Sequence, residues 1–213
     1  MKKRNGLIAR PGYRFLAAGL SILVLGFWVG QYIVWLGLVC TAFFAYFFRD
    51  PERAIPSAPG LLISPADGRI IAWERMREDQ FLRQPVHKLS IFMNVFDVHV
   101  NRAPLAGRIK AAVYQPGRYL PANNPQAPDQ NEQLALHLES AEGIGLVMVQ
   151  IAGVLARRII SYVQAGDQVD RGERVGLICF GSRVDLYIPE QCQLQVQLGQ
   201  KVKAGTTIIG RWP

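Results

Sequence analysis

Few side chains in this sequence could do acid–base or nucleophilic work, and they fall into three short segments. In FMNVFDVHVNRAP, Asp97 stands two residues before His99. On a β-strand that spacing puts both side chains on one face, so a carboxylate and an imidazole can share a pocket. The same histidine equally suits a ring capping a carbonyl at a sheet edge. Asp67 lies in SPADG, a turn sequence in which an Asx-turn carboxylate holding the loop is the simpler reading. Gly181 and Ser182 separate an apolar run from RVDLYIP, and a Gly-Ser pair by itself reads as a bulge or turn. Ser182, His99 and Asp67 could in principle form a hydrolase-like triad. The other histidines, His87 and His137, are too dispersed for a zinc set of HExxH type. Neither a P-loop, a Rossmann fingerprint nor a G-x-S-x-G elbow occurs. Cys40, Cys179 and Cys192 contain no C-x-x-C pair and fit a reducing compartment.

The elements that must carry these residues read as short strands. LLIS (61–64), RIIAWERM after the PADG turn, HKLSIFMNVFDVHV (87–100), GRIKAAVYQ (107–115), QLALHLES (133–140), GLVMVQIAG (145–153) and RRIISYV (157–163) are each bounded by Gly, Pro or polar residues. YLPANNPQAPDQNEQ (119–133) predicts a long loop of the kind that often borders a site. The last fifty residues repeat a V-x-x-G rhythm, which predicts strands joined by tight glycine turns. This rhythm resembles the barrel-sandwich of lipoyl and biotinyl carriers, but CFGSRVDLY lacks the lysine that such a carrier modifies. The expected body, 61–213, is β-rich (all-β or α+β) and barrel-sandwich-like, built from two packed layers around one core.

Ahead of it, Phe15 to Phe48 runs 34 residues without a charge. One straight helix of that length would reach about 51 Å, against a hydrocarbon core of about 30 Å. Two short helices turning near Gly30-Gln31 fit better, so 15–48 is expected to be a transmembrane helical hairpin. A basic segment (1–14) precedes it and a breaker-rich linker (49–60) follows. Of 24 Lys+Arg and 16 Asp+Glu, residues 1–53 hold seven and two, so most of the net +8 flanks the apolar run. That distribution argues against a nucleic-acid partner. Lys2, Lys3, Arg4, Arg10 and Arg14 on one side, with Arg49 and Arg53 on the other, favour both ends on the cytoplasmic face of the cell (inner) membrane.

The blocks FFRDPERAIPSAPGLLISPADGRI (47–70), FMNVFDVHVNRAPLAGRI (92–109), YQPGRYLPANNPQAPDQNE (114–132) and RVGLICFGSRVDLYIP (174–189) closely resemble the short, membrane-associated form of the phosphatidylserine decarboxylase family. They run in the family's order over nearly the whole body. The resemblance implies a pyruvoyl-dependent carboxy-lyase that cuts itself at Gly181–Ser182 into a β chain (1–181) and an α chain (182–213). In this reading Ser182 Oγ attacks the Gly181 carbonyl, and β-elimination followed by loss of ammonia leaves a pyruvoyl group where Ser182 stood. His99 is the implied base, with Asp67 orienting it. The mature enzyme would take phosphatidylserine through a Schiff base to phosphatidylethanolamine and carbon dioxide, with no pyridoxal phosphate and no metal. Its implied partners are membrane lipid and its own two chains as a heterodimer, itself able to dimerise.

Two departures from longer family members stand out. FGSR replaces LGST at the cut, and Arg102 occupies the place of a second histidine. Arg102 is therefore expected to bind substrate carboxylate or phosphate, or to sit in a surface salt bridge. Asp97, Asn101, Asn131 and Glu132 are expected as supporting or lining groups, and Cys179 as a small buried residue. The competing readings are a non-catalytic, membrane-tethered β-sandwich module that binds lipid or a partner, and a conventional serine hydrolase.

Overall fold

The computed structural model describes residues 6–154, 158–179 and 181–213. The chain divides into two compact units, residues 1–52 and 53–213.

The first unit is a helical hairpin of α1 (Gly12–Val29) and α2 (Gln31–Phe47). Gly30, at φ 145°, breaks the run between them, at the position expected for the turn. The sequence dictates how the two helices meet. Gly12, Gly19 and Gly26 are seven residues apart, close to two helical turns, and so form one line down α1. Each faces the α2 side at an equally spaced position: Gly12 at Phe48, Gly19 at Thr41, Gly26 at Val34. Gly37 of α2 lies against the Leu23 backbone in return. With no Cβ in the way, the two backbones approach closely, as in helix pairs packed by small residues in lipid. Trp28, Tyr32 and Trp35 point outward near the bend. The hydroxyls of Ser21 and Thr41 are satisfied within their own helices by Ala17 O and Gly37 O. Helix α1 is long and apolar enough to cross a membrane.

The second unit contains β1 (Leu61–Ile63), β2 (Gly68–Glu78), β3 (Gln84–Met93), β4 (Val100–Arg102), β5 (Gly107–Gln115), a single helical turn α3 (Ala127–Gln130), β6 (Gln133–Glu139), β7 (Gly145–Ile151), β8 (Ile159–Ser161), β9 (Gln168–Val169), β10 (Arg174–Ile178), β11 (Ser182–Pro189), β12 (Gln193–Leu194), β13 (Lys201–Val202) and β14 (Ile208–Arg211). Eight of these strands form an antiparallel sheet in the order β13-β2-β3-β11-β7-β6-β5-β9. Register breaks at Ile70/Ala72 and Ile109/Ala111 mark bulges that bend it, so the sheet curls into a half-barrel. Two three-stranded sheets, β4-β10-β8 and β1-β14-β12, complete the body. The expected β-rich body with an apolar helical hairpin ahead of it is therefore what the chain forms.

Strand alternation builds the core. Leu89, Ile91 and Met93 on β3, Leu134, Leu136 and Leu138 on β6, and Val184, Leu186 and Ile188 on β11 face one buried cluster. The glycine turns of the C-terminal rhythm take positive φ at Gly166, Gly172, Gly199 and Gly205. Residues 53–58 form no helix or strand, 59–60 turn, and the segment is tied to the body. Ile55 packs against Gly172 and Gly205, and Arg171 donates to Pro56 O and Leu61 O.

Two strand expectations are corrected: RRIISYV (157–163) forms only β8, Ile159–Ser161, with residue 157 outside the described residues, and a second run is broken. The run 87–100 is not a single strand: β3 ends at Met93, and a turn over 94–97 precedes β4. Asn94 and Asp97 cause the break. The Asp97 carboxylate accepts from Asn94 N, Asp97 N donates to Asn94 O, and Asn94 Oδ1 accepts from Phe96 N. Local side-chain hydrogen bonds of this kind compete with a ladder and win where Asn and Asp cluster.

Candidate active site

The strand β10 belongs to one sheet and β11 to another, so the chain passes from sheet to sheet at the corner between Ile178 and Ser182. Gly181 takes φ 63°, a left-handed torsion that glycine adopts at no steric cost. Ser182 opens β11 opposite Met93 of β3, is wholly buried, and points its Oγ at Met93 Sδ, 3.4 Å away.

His99, also wholly buried, brackets this corner twice. Its carbonyl accepts from Ile178 N (3.3 Å), and its Nε2 accepts from Gly181 N (3.3 Å). Its Nδ1 lies 2.9 Å from the Asp97 carbonyl oxygen. A carbonyl can only accept, so Nδ1 carries the proton and Nε2 presents its lone pair to the corner. The base-capable nitrogen thus meets the backbone amide of Gly181, the residue whose carbonyl precedes Ser182. Asp97 contributes its backbone to this arrangement, while its carboxylate holds the 94–97 turn. The shared strand face read from the D-x-H spacing is not how the two residues meet.

Asp67 is buried at the start of the β2 hairpin, with Oδ2 2.8 Å from Arg53 Nη2 and Oδ1 2.7 Å from Ala204 N. It ties the segment 53–60 to the β13–β14 connection, and the proton on His99 is held by the Asp97 carbonyl. Arg102 is buried, its Nη1 donating to Gly172 O at 2.9 Å and its stem against Gly205. Asn101 lies between the sheets. Its Nδ2 donates to Met93 Sδ (3.6 Å), the same sulfur that meets Ser182, and its Oδ1 accepts from Gln150 Nε2 (2.7 Å). Gln150 Oε1 is buried without a hydrogen-bond partner among the described residues.

Asn131 and Glu132 brace the loop that the sequence placed beside the site. Asn131 bonds both ways with the Leu120 backbone and donates to Ala152 O (2.7 Å). Glu132 accepts from Tyr119 Oη (2.8 Å) and Ile159 N (3.1 Å). The Asn131 amide is spent on backbone and the Glu132 carboxylate on the Tyr119 hydroxyl and the Ile159 amide, which makes them loop staples. Two participants escaped sequence reasoning. Met93 reads as an ordinary core residue, and Gly153, where a Cβ would run into the Gly181 carbonyl oxygen, carries no local signal, because that neighbour is 28 residues away.

Burial pushes the Cys179 thiol up to about 11, so it is neutral and inert beside the corner. Burial also holds His87 and His137 below the ordinary histidine value. His87 Nδ1 accepts from Trp73 Nε1, and His137 lies against the Phe81 ring. Neither reaches the corner.

The profile of the family described as phosphatidylserine decarboxylase matches residues 40–210 of this chain. Similar curated proteins carry the name phosphatidylserine decarboxylase proenzyme. One from Oleidesulfovibrio alaskensis is 47% identical over 213 residues, covering 98% of this chain and 96% of its own. One from Desulfotalea psychrophila is 45% identical over 205 residues, covering 96% of both. A third, from Geotalea uraniireducens, is 44% identical over 214 residues and covers both chains completely.

Proposed function

This chain belongs to the phosphatidylserine decarboxylase family, whose members cleave themselves and act through a pyruvoyl group, and from that premise we propose how its own residues do so. The chain converts phosphatidylserine to phosphatidylethanolamine and carbon dioxide at a membrane. The observation that carries the assignment of roles is the contact of His99 Nε2 with Gly181 N beside the buried Ser182.

In the precursor, Ser182 Oγ turns from Met93 Sδ towards the Gly181 carbon, a rotation between staggered wells of one χ angle. His99 Nε2 takes the hydroxyl proton and returns it to the Ser182 nitrogen as the peptide C–N bond gives way to an ester. The Asp97 carbonyl keeps the imidazole in the tautomer this requires. Asp67 supports the site at a distance, by holding the segment 53–60 and the β13–β14 connection in place. Elimination across Cα and Cβ of Ser182 then frees the Gly181 carboxylate, and hydrolysis releases ammonia. The resulting ketone keeps the carbon skeleton of Ser182 and so fits the same buried space. That ketone supplies the electron sink for decarboxylation. His99 is the residue placed to move a proton in turnover as well. Asn101 lines the pocket, and Arg102 is a candidate for the anionic part of the substrate if its guanidinium exchanges Gly172 O for a carboxylate or phosphate.

Two further points extend the proposal. The segment after the cut supplies β11, hydrogen-bonded to β3 on one side and β7 on the other, and also β14, paired with β1, and β13, paired with β2. This supports residues 1–181 and 182–213 remaining together as a heterodimer. Basic residues on both sides of the hairpin support an orientation with both ends on the cytoplasmic face.

Intact mass under denaturing conditions tests the proposal. Two chains divided at 181/182, the shorter one lighter than its serine-ended form by one ammonia, are expected. A single unmodified 213-residue chain that nonetheless decarboxylates would overturn it.

A further inference from the structure

Gly153 follows β7 and is glycine for a reason its own backbone does not supply. Its φ is not positive, so any residue could adopt its conformation. A Cβ built there would run into the oxygen of the Gly181 carbonyl and crowd its carbon, while the next neighbour, Ala122 Cβ, is at an ordinary 3.4 Å. The atom that forbids a side chain at 153 is therefore the oxygen of the bond to be cut.

The backbone that presents this space is held from the far side. Ala152 N donates to Glu132 O (2.9 Å), and Ala152 O accepts from Asn131 Nδ2, itself locked to Leu120. Asn131, Glu132 and Ala122 all come from the loop between β5 and β6. That loop is closed at its neck, where Arg118 N donates to Gln130 O and Glu132 N donates to Arg118 O.

We infer that Gly153 is a positioning residue for self-cleavage: the space left by its missing side chain seats the scissile carbonyl oxygen, and the 116–132 loop fixes that seat through Asn131. The inference rests on the cleavage reading above and deepens it. Attack forms a bond from Ser182 Oγ to the Gly181 carbon, and charge gathers on this oxygen before the C–N bond breaks and the hydroxyl proton passes to the freed amine. Where the oxygen lies decides which face of the carbonyl Ser182 meets. A methyl group at 153 turns the carbonyl aside, and a displacement of about 1 Å costs a reaction of this kind about a hundredfold.

The test uses the full chain in detergent. Gly153→Ala is compared with Gly107→Ala, where a Cβ meets another strand carbonyl, Glu139 O, far along the same sheet. Intact mass follows the appearance of the two chains, a thermal scan reports the fold, and hydroxylamine captures any ester as a chain beginning with an unconverted Ser182. Wild type should cleave and yield the hydroxylamine product. Gly107→Ala should lose stability yet still cleave. Gly153→Ala should remain a folded precursor that cleaves about a hundredfold more slowly and gives no hydroxylamine product. Should Gly153→Ala not fold, Asn131→Asp decides, since it keeps the shape and loses the donor to Ala152 O; cleavage about tenfold slower is expected. The inference is overturned if Gly153→Ala cleaves at the wild-type rate, if it accumulates a hydroxylamine-sensitive ester, if the two glycine variants slow in step with their lost stability, or if Asn131→Asp, as the deciding variant, cleaves normally. Failure of wild type itself to cleave would instead refute the function proposed above.

Discussion

Asp185 is the most exacting test of how β11 is held. Its side chain is fully buried on β11, and both oxygens take the Arg183 guanidinium, Nε at 2.6 Å and Nη2 at 3.0 Å. Arg183 also donates to Ser90 Oγ on β3 (2.7 Å), and Lys88 Nζ is 3.8 Å from the same carboxylate. Asp185→Asn leaves two cations facing an amide, one of them only 7% exposed at its side chain. Removing one partner of a buried, hydrogen-bonded pair costs about 3–5 kcal/mol, which for a chain of this size lowers Tm by about 6–20 °C. Replacing both, as Arg183→Met with Asp185→Leu, removes the stranded charge along with its partner. That double variant should return to within about 2 kcal/mol of wild type. Thermal scans of the detergent-solubilised precursor at low and high salt read both effects, and the loss in Asp185→Asn should vary little with salt because the pair is out of solvent. A Tm drop under about 3 °C for Asp185→Asn, or a double variant worse than the single, would refute this reasoning.

Three more expectations follow from the geometry. His99→Gln should leave the chain as precursor, with self-cleavage slower by about 10²–10⁴, and normal processing by intact mass would remove His99 from the role of base. With burial holding Cys179 up to about 11 and Cys192 up to about 12, iodoacetamide at pH 8 should leave both unlabelled in the native protein and label them in denaturant; rapid native labelling of Cys179 would contradict its burial. His87 and His137 are held below the usual value of about 6.5 chiefly by burial, so the fold binds their neutral forms and the unfolded chain takes up the protons. Their contribution is full above about pH 6.5 and is lost as pH falls through the lowered folded values. Tm should therefore drop between pH 7.5 and 5, and a double His→Gln variant that keeps the same slope would show the source to lie elsewhere.

Strand positions were legible because side chains alternate. GRIKAAVYQ is β5 residue for residue, and the buried Leu134, Leu136 and Leu138 repeat at the period of two that marked β6. The hairpin was legible from length and charge alone. What did not show was anything decided by a distant backbone. Asp97 and His99 looked like strand neighbours until Asn94 broke the ladder, and their contact is made through a carbonyl, which every residue has. Asp67 in SPADG was read both as a turn residue and as a catalytic one; its partners, Arg53 and Ala204, lie on opposite sides of it in the sequence. Asn131 and Glu132 are expected as lining groups, but the bonds they make, to Leu120, Tyr119, Ala152 and Ile159, are those of a brace. Gly153 could not be found at all, since a missing side chain has meaning only once the oxygen opposite is known.

The pairing of strands from the two ends of the body sets a timetable for the enzyme. Leu61 lies opposite Arg211, Gly68 opposite Val202, and Ser182 itself opposite Met93. A nascent chain that has released only its first strands has neither the corner nor its partners, and contacts so far apart in sequence are slow to close. With the cut at Gly181–Ser182, as proposed, cleavage has to follow translation of these late strands. The electron sink can arise only in a body whose late strands have already folded back onto its early ones, so a chain that stalls or misfolds is left without the means to become an enzyme.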